Sequence, residues 1–196
     1  MKLLLLRCPI CQEGLHPEDN DVVLACTNCH TPIALDENGM HEANVHYAAA
    51  TKPESVTHWL PFWITFGRVN VTSRQTQGSN RGAQKDAQQM WQTERYLYIP
   101  AWDMPIPEAR QLGRSLVESQ PVLVEGDRPA VGPFTAANVT AEDALKLLEL
   151  IILTIETERK DWLKDLKFSI QAPPPELWIV PAVAGRGVSL MAQTAR

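Results

Sequence analysis

Four cysteines, and no others, stand in two Cys-x-x-Cys pairs near the start of the chain, Cys8 with Cys11 and Cys26 with Cys29. Each pair sets two sulfurs across a tight turn. The second returns after a segment long enough for a strand and its way back, so four thiolates can converge on one ion. That doubled spacing is the pattern of a tetrahedral, all-cysteine zinc site. Four protein ligands leave no open position for water or substrate, so the expected role is structural, one Zn2+ per chain, with iron as the rival metal. Disulfides suit small secreted chains, and a redox-active pair needs the start of a helix in a βαβ setting. Cys8 instead follows the apolar run 3–6 and Cys26 the run 22–25, both strand-like. His30 adjoins Cys29 and is read as a solvated neighbour, four ligands being already present.

Cys8-Pro9-Ile10-Cys11, Cys26-Thr27-Asn28-Cys29, the run Ile33-Ala34-Leu35 and the Asn38-Gly39 turn together resemble a zinc ribbon over about the first quarter of the chain. The resemblance implies zinc knuckles and short antiparallel strands. Ribbons serve transcription factors, RNA polymerase subunits, ribosomal proteins, enzymes and adaptors, so function stays open. Knuckles often prefer glycine directly after the second cysteine. Gln12 and His30 stand there instead.

Charge is unevenly spread. The first fifty residues hold two basic side chains against seven acidic ones, which accounts for the whole net charge of −5. An acidic ribbon is a poor grip for phosphates, because nonspecific nucleic-acid binding rests on clustered Lys and Arg. The apolar start of the chain is short for a signal peptide and runs straight into a knuckle. The most apolar later run, 145–155, is interrupted by Lys146 and Glu149 and falls short of the roughly 20 apolar residues that span a bilayer. These features predict a protein of the reducing cytoplasm with no membrane span.

Periodicity predicts an α+β fold: an N-terminal zinc ribbon, then a mainly antiparallel sheet with two helices on one face. The expected division is a ribbon over 1–50, a linker over 48–55, an α+β domain over 56–184, and a loose tail over 185–196. Strands are expected over 2–7, 22–25, 32–35 and 40–45, with Asn38-Gly39 supplying the positive φ of a hairpin turn. Residues 58–71 are aromatic and β-branched, which favours a strand, and Pro61 is expected to keep its early part at an edge or bulge. Residues 72–89 hold no large apolar side chain and read as a mobile polar loop, open to trypsin after Arg74, Arg81 or Lys85. Residues 95–102 read as a strand, 105–118 as a helix, and 121–124 as a short strand or crossing. A loop through Gly126 and Gly132 follows, and then a helix capped at Thr140, with Leu145, Leu148, Ile152 and Ile155 on its buried stripe. Strands over 166–170 and 177–183 close a pattern that suggests a mirrored arrangement of two strand pairs.

All six tryptophans lie beyond residue 50, and most are expected in the core. His58, Asp103, Glu108, Arg110 and Glu118 form no recognisable nucleophile, base and orienter set, and no glycine-rich phosphate loop has the required strand and helix around it. The expected function is therefore that of a zinc-binding, noncatalytic interaction or assembly subunit with a protein partner. Nucleic-acid binding in transcription or replication stands second, with Arg74, Arg81 and Lys85 as its phosphate contacts.

Overall fold

The computed structural model describes residues 6–78, 81–129, 134–183 and 188–195. The fold is α+β, with three helices where two were expected. A small antiparallel sheet runs β1 (Val23–Ala25), β2 (Pro32–Asp36), β3 (Gly39–Glu42). Its hairpin turns as the sequence requires: Asp36 pairs with Gly39, whose φ is +102°, and the Asn38 NH donates to Asp36 Oδ1 at 2.8 Å.

A six-stranded sheet is built around one twenty-residue strand, β5 (His58–Gln77). Its path is β4 (Val45–Tyr47), β8 (Glu176–Val183), β5 and β6 (Arg95–Pro100). β7 (Trp162–Gln171) also pairs with β5, and the short β9 (Ser189–Leu190) with β8. Every pairing is antiparallel except β4 with β8. The two closing strands do not pair with each other: β8 lies along His58–Ile64 and β7 along Arg68–Gln77, in antiparallel registers that differ by one residue over 68–71 and coincide over 73–75. The mirrored pair is thus a single interrupted partner of β5.

Pro61 stands inside this strand, between β8 and β6, not at an edge. It is tolerated because β6 ends opposite it. Pro61 O still accepts the Ala101 NH at 3.1 Å, and the Ala101 carbonyl, which proline leaves without a donor, takes the Asn138 NH at 2.8 Å instead.

Residues 45–55 depart from expectation in the same way. Residues 45–47 leave the small sheet for the large one. Ala48 is fully buried and bridges Glu125, the Ala49 NH donates to Val124 O at 2.8 Å, and Ala50 bridges Ala192. An alanine run admits such close backbone crossings. At Gly126 a Cβ would stand 2.8 Å from Ala49 Cα, so that crossing needs a glycine. The first part of the expected linker, 48–50, is packed structure while 51–55 stand exposed, and 188–195 is stitched down too, the Met191 NH to Pro181 O and the Gln193 NH to Ala49 O, both at 2.7 Å. Residues 1–5, 79–80, 130–133, 184–187 and 196, on which other expectations fell, lie outside the described residues.

The polar stretch 72–89 is the largest correction. Residues 72–77 continue β5, and α1 (Arg81–Gln92) follows, burying Ala83, Ala87 and Trp91 at successive turns against it. The anchor lies just past the polar run, at Trp91, and within it at Arg74. The Arg74 Nε donates to Glu156 at 2.6 Å, and its two terminal nitrogens donate to the Asp161 carboxylate at 2.6 and 2.8 Å. Trp91 Nε1 and Arg159 Nε each donate to the second Glu156 oxygen at 2.7 Å. The Glu156 side chain is fully buried.

The remaining helices pack on each other and on β6: α2 (Ile106–Ser119) and α3 (Ala141–Thr157). Thr140 caps α3 as expected, its Oγ1 accepting the Asp143 NH at 3.0 Å. Leu148, Ile151, Ile152 and Ile155 fill the core beneath. No helix among the described residues is long and apolar enough to cross a membrane.

Removing one partner of a buried ion cluster strands the others, so Arg74→Met is expected to cost about 3–5 kcal/mol by denaturant unfolding. The guanidinium of Arg74 also holds the Asp161 carboxyl below its ordinary range despite burial. This contribution is full above the unfolded carboxylate value of about 3.9 and fades as pH falls through the lower folded value. Wild-type stability should therefore drop on acidification more steeply than that of Arg74→Met.

Candidate metal centre

Both Cys-x-x-Cys pairs close into the same turn. In the first, the Gln12 NH donates to Cys8 O at 2.9 Å and the Cys8 NH to Glu13 O at 2.8 Å. In the second, the His30 NH donates to Cys26 O and the Cys26 NH to Thr31 O, both at 2.9 Å. Such a turn requires a left-handed residue directly after its second cysteine, which is why glycine is often found there. Gln12 and His30 take that conformation without being glycine, with φ of 65° and 58°. Arg7 and Gly14 bridge across the first turn, and β1 and β2 carry the second.

The two turns bring all four sulfurs together, each within 4.8 Å of every other. Cys8 Sγ lies 3.6 Å from Cys29 Sγ and Cys11 Sγ 3.6 Å from Cys26 Sγ. The four thiols are positioned to bind a metal ion, and His30 is not of the group. Cys8 and Cys26 are fully buried, while Cys11 and Cys29 are half-buried. Around them sits a minimal apolar shell of Leu15, Leu24 and Ile33. Three such side chains are a slight core for a module of this size, which is where metal–sulfur bonds substitute for hydrophobic burial.

Local donors divide the thiols. The Glu13 backbone NH, and after it the Asn28 side chain, bring Cys11 down to about 6. Burial pushes Cys26 up to about 11. At Cys29 burial pushes upward, yet the hydroxyl and backbone NH of Thr31 outweigh it and the net direction is down. Local donors thus favour the thiolate at Cys11 and Cys29, and burial disfavours it at Cys26.

The module is joined to the rest of the chain. Residues 134–137 run beside β1: the Val22 NH donates to Ala137 O and the Ala137 NH to Val23 O, both at 2.7 Å. Val23 and Ala25 share an apolar cluster with Tyr47, Phe134, Leu177 and Ile179. β1 therefore has a partner on each side, β2 from its own module and Ala137 from the body.

The other sequence candidates do not gather. Arg74 is consumed by Glu156 and Asp161, while Arg81 and Lys85 stand exposed one turn apart on α1. Among the described residues His58 bonds to neighbouring Thr57 at 2.8 Å, and Glu118 pairs with Arg114 one turn earlier on α2, which also pairs with Glu158. Among the tryptophans only Trp91 is fully in the core, and Trp162 is 76% exposed. The Glu156 cluster escaped sequence reading, although a carboxylate one turn beyond Ile152 on the most apolar helix was a visible signal for it. Comparison with known families, curated proteins and solved structures finds no match.

Uptake of one divalent ion at pH 7 should release the proton of Cys26, readable in weakly buffered solution with an indicator dye. Retention should fail as pH drops below about 6, where protons compete for every sulfur. Cys26→Ser is expected to abolish stoichiometric metal. Because β1 is shared, the amides of Val23 and Ala137 should then exchange faster, so the damage reaches beyond the module.

Proposed function

We propose that this is a zinc-stabilised, noncatalytic assembly subunit of the reducing cytoplasm, with a zinc ribbon as its N-terminal quarter. The observation that carries this reading is the closed four-sulfur cluster. Zn–S bonds of about 2.3 Å set tetrahedral sulfurs roughly 3.8 Å apart, close to the 3.6 Å separations here. Four thiolate ligands complete the coordination, so the ion braces structure and offers no position to a reactant. What it braces is an acidic module docked through β1 onto the body, and that joined surface is what a protein partner would meet. Reduced cysteines accord with a reducing compartment. Exposed aromatic and aliphatic side chains, Trp162, Phe66 and Ile106 among them, supply anchors of the kind protein interfaces use.

Phosphate binding loses its best candidate with Arg74, and Arg81 and Lys85 alone would neutralise too little charge to hold nucleic acid at physiological salt. Three measurements test the reading. Elemental analysis of the folded protein should give one zinc per chain; iron, or no metal, would overturn the zinc assignment. Gel-shift titration with single- and double-stranded probes should show no micromolar binding at about 0.15 M salt. Partners copurifying from native extract should survive nuclease and be lost on chelation, and a partner released by nuclease would reverse the ranking of the two functions.

A further inference from the structure

β5 has one edge that the fold leaves open. On the side opposite β7, β6 covers it only as far as Gly67, which pairs with Arg95. From residue 68 to residue 74 no strand among the described residues takes up that edge, while β7 pairs along the other. All seven of these residues line a groove of about 430 Å³, and no residue of β7 does. The facing wall is α1, which lines the groove with buried Ala87 and Trp91 and presents Gln84, Gln88 and Gln92 at successive turns. In an antiparallel strand alternate residues turn both NH and C=O to the same edge, so about half of this run offers an unused donor and acceptor to the groove.

Other edges of the sheet are covered in part or guarded by charge. At β6 the Gln120 side chain imitates a strand, accepting the Tyr96 NH at 2.9 Å and donating to Tyr96 O at 2.8 Å. Beyond β4, Ala48 and Ala49 are bonded to 124–125. The outer side of β7 carries exposed Lys164 and Lys167, side chains that discourage strand addition. Seven edge residues at about 3.4 Å each give a run of roughly 24 Å, the length of a peptide strand. The groove lining contains no acidic side chain, and Arg68 on it is exposed with no ion pair among the described residues.

We propose that this edge accepts an extended segment of a partner polypeptide as an added strand, antiparallel to β5 like its existing neighbours, with a carboxylate side chain opposite Arg68. Main-chain hydrogen bonds supply affinity in this mode, and side-chain pockets supply selectivity. The glutamine amides of α1 line the far side of the groove, where they can meet the outer edge of the added strand. The proposal rests on reading the protein as an interaction subunit and names the chemistry of its partner.

The full-length, metal-loaded protein is panned against a displayed library of random decapeptides, and recovered peptides are synthesised. Acid-containing extended peptides are expected, with alternate amides of residues 68–74 gaining at least about tenfold protection from exchange on binding, as two or more new hydrogen bonds would give. Gln88→Trp fills the groove from an exposed helix position and leaves β5 untouched. With circular dichroism and thermal midpoint unchanged, it should weaken binding at least about tenfold, as should N-methylation of alternate peptide amides. Arg68→Glu should transfer preference from acidic to basic peptides. Recovery of no peptide, protection on β7 instead, or undiminished affinity for Gln88→Trp overturns the proposal. A nuclease-resistant cellular partner held equally by wild-type and Gln88→Trp protein removes this edge while leaving the assembly reading intact. Peptide binding at the edge without any cellular partner does the opposite.

Discussion

β5 pairs with three strands and receives a helix along its far half, so whatever bends or breaks it reaches nearly every other element. Its two halves meet that demand by different physics. The first half buries Leu60, Phe62 and Ile64 between two neighbouring strands, and hydrophobic transfer holds it. Beyond Val71 the side chains turn polar, and burial no longer supplies enough. There the strand is held by one arginine reaching two carboxylates, Glu156 at the end of α3 and Asp161 just before β7. Arg74 thereby ties together three elements distant in sequence, which a solvated side chain could not do.

The metal module meets the same shortage of core at smaller scale. Three buried aliphatic side chains and four sulfurs form its interior, with Leu35, Met40 and Ala136 partly buried against them, and its knuckles spend two left-handed non-glycine residues to aim the thiols inward. Such conformations cost of order 1 kcal/mol each. The strength of metal–thiolate binding dwarfs that cost. Sharing β1 with Ala137 means that an ion held by the four thiols would also bear on how the module meets the body.

Local signals in the sequence were strong where chemistry and period coincide. The doubled cysteine spacing, the Asn-Gly turn and the Thr140 cap each specify a geometry within a few residues, and each is found. Proline and polarity misled because their cost depends on neighbours far along the chain. Pro61 is acceptable only because β6 ends opposite it and Asn138 supplies the missing donor. The run 72–89 lacks an apolar anchor of its own, and its order comes from Trp91 just beyond it and from carboxylates more than eighty residues away. Ala48-Ala49-Ala50 reads as a spacer until residues 123–125 and 191–193 are laid against it. None of these partners leaves a trace in a local window.

The ion-held half of β5 also gives the molecule an uneven response to temperature. Apolar burial weakens on cooling and dominates the heat capacity of unfolding. The desolvation penalty of paired charges falls on warming, so a buried arginine–carboxylate cluster loses less of its worth at high temperature. The Phe62 end of the strand and the Arg74 end therefore sit on differently shaped stability curves. Cooling loosens the strand from the core side, while heat finds its outer arm the better secured.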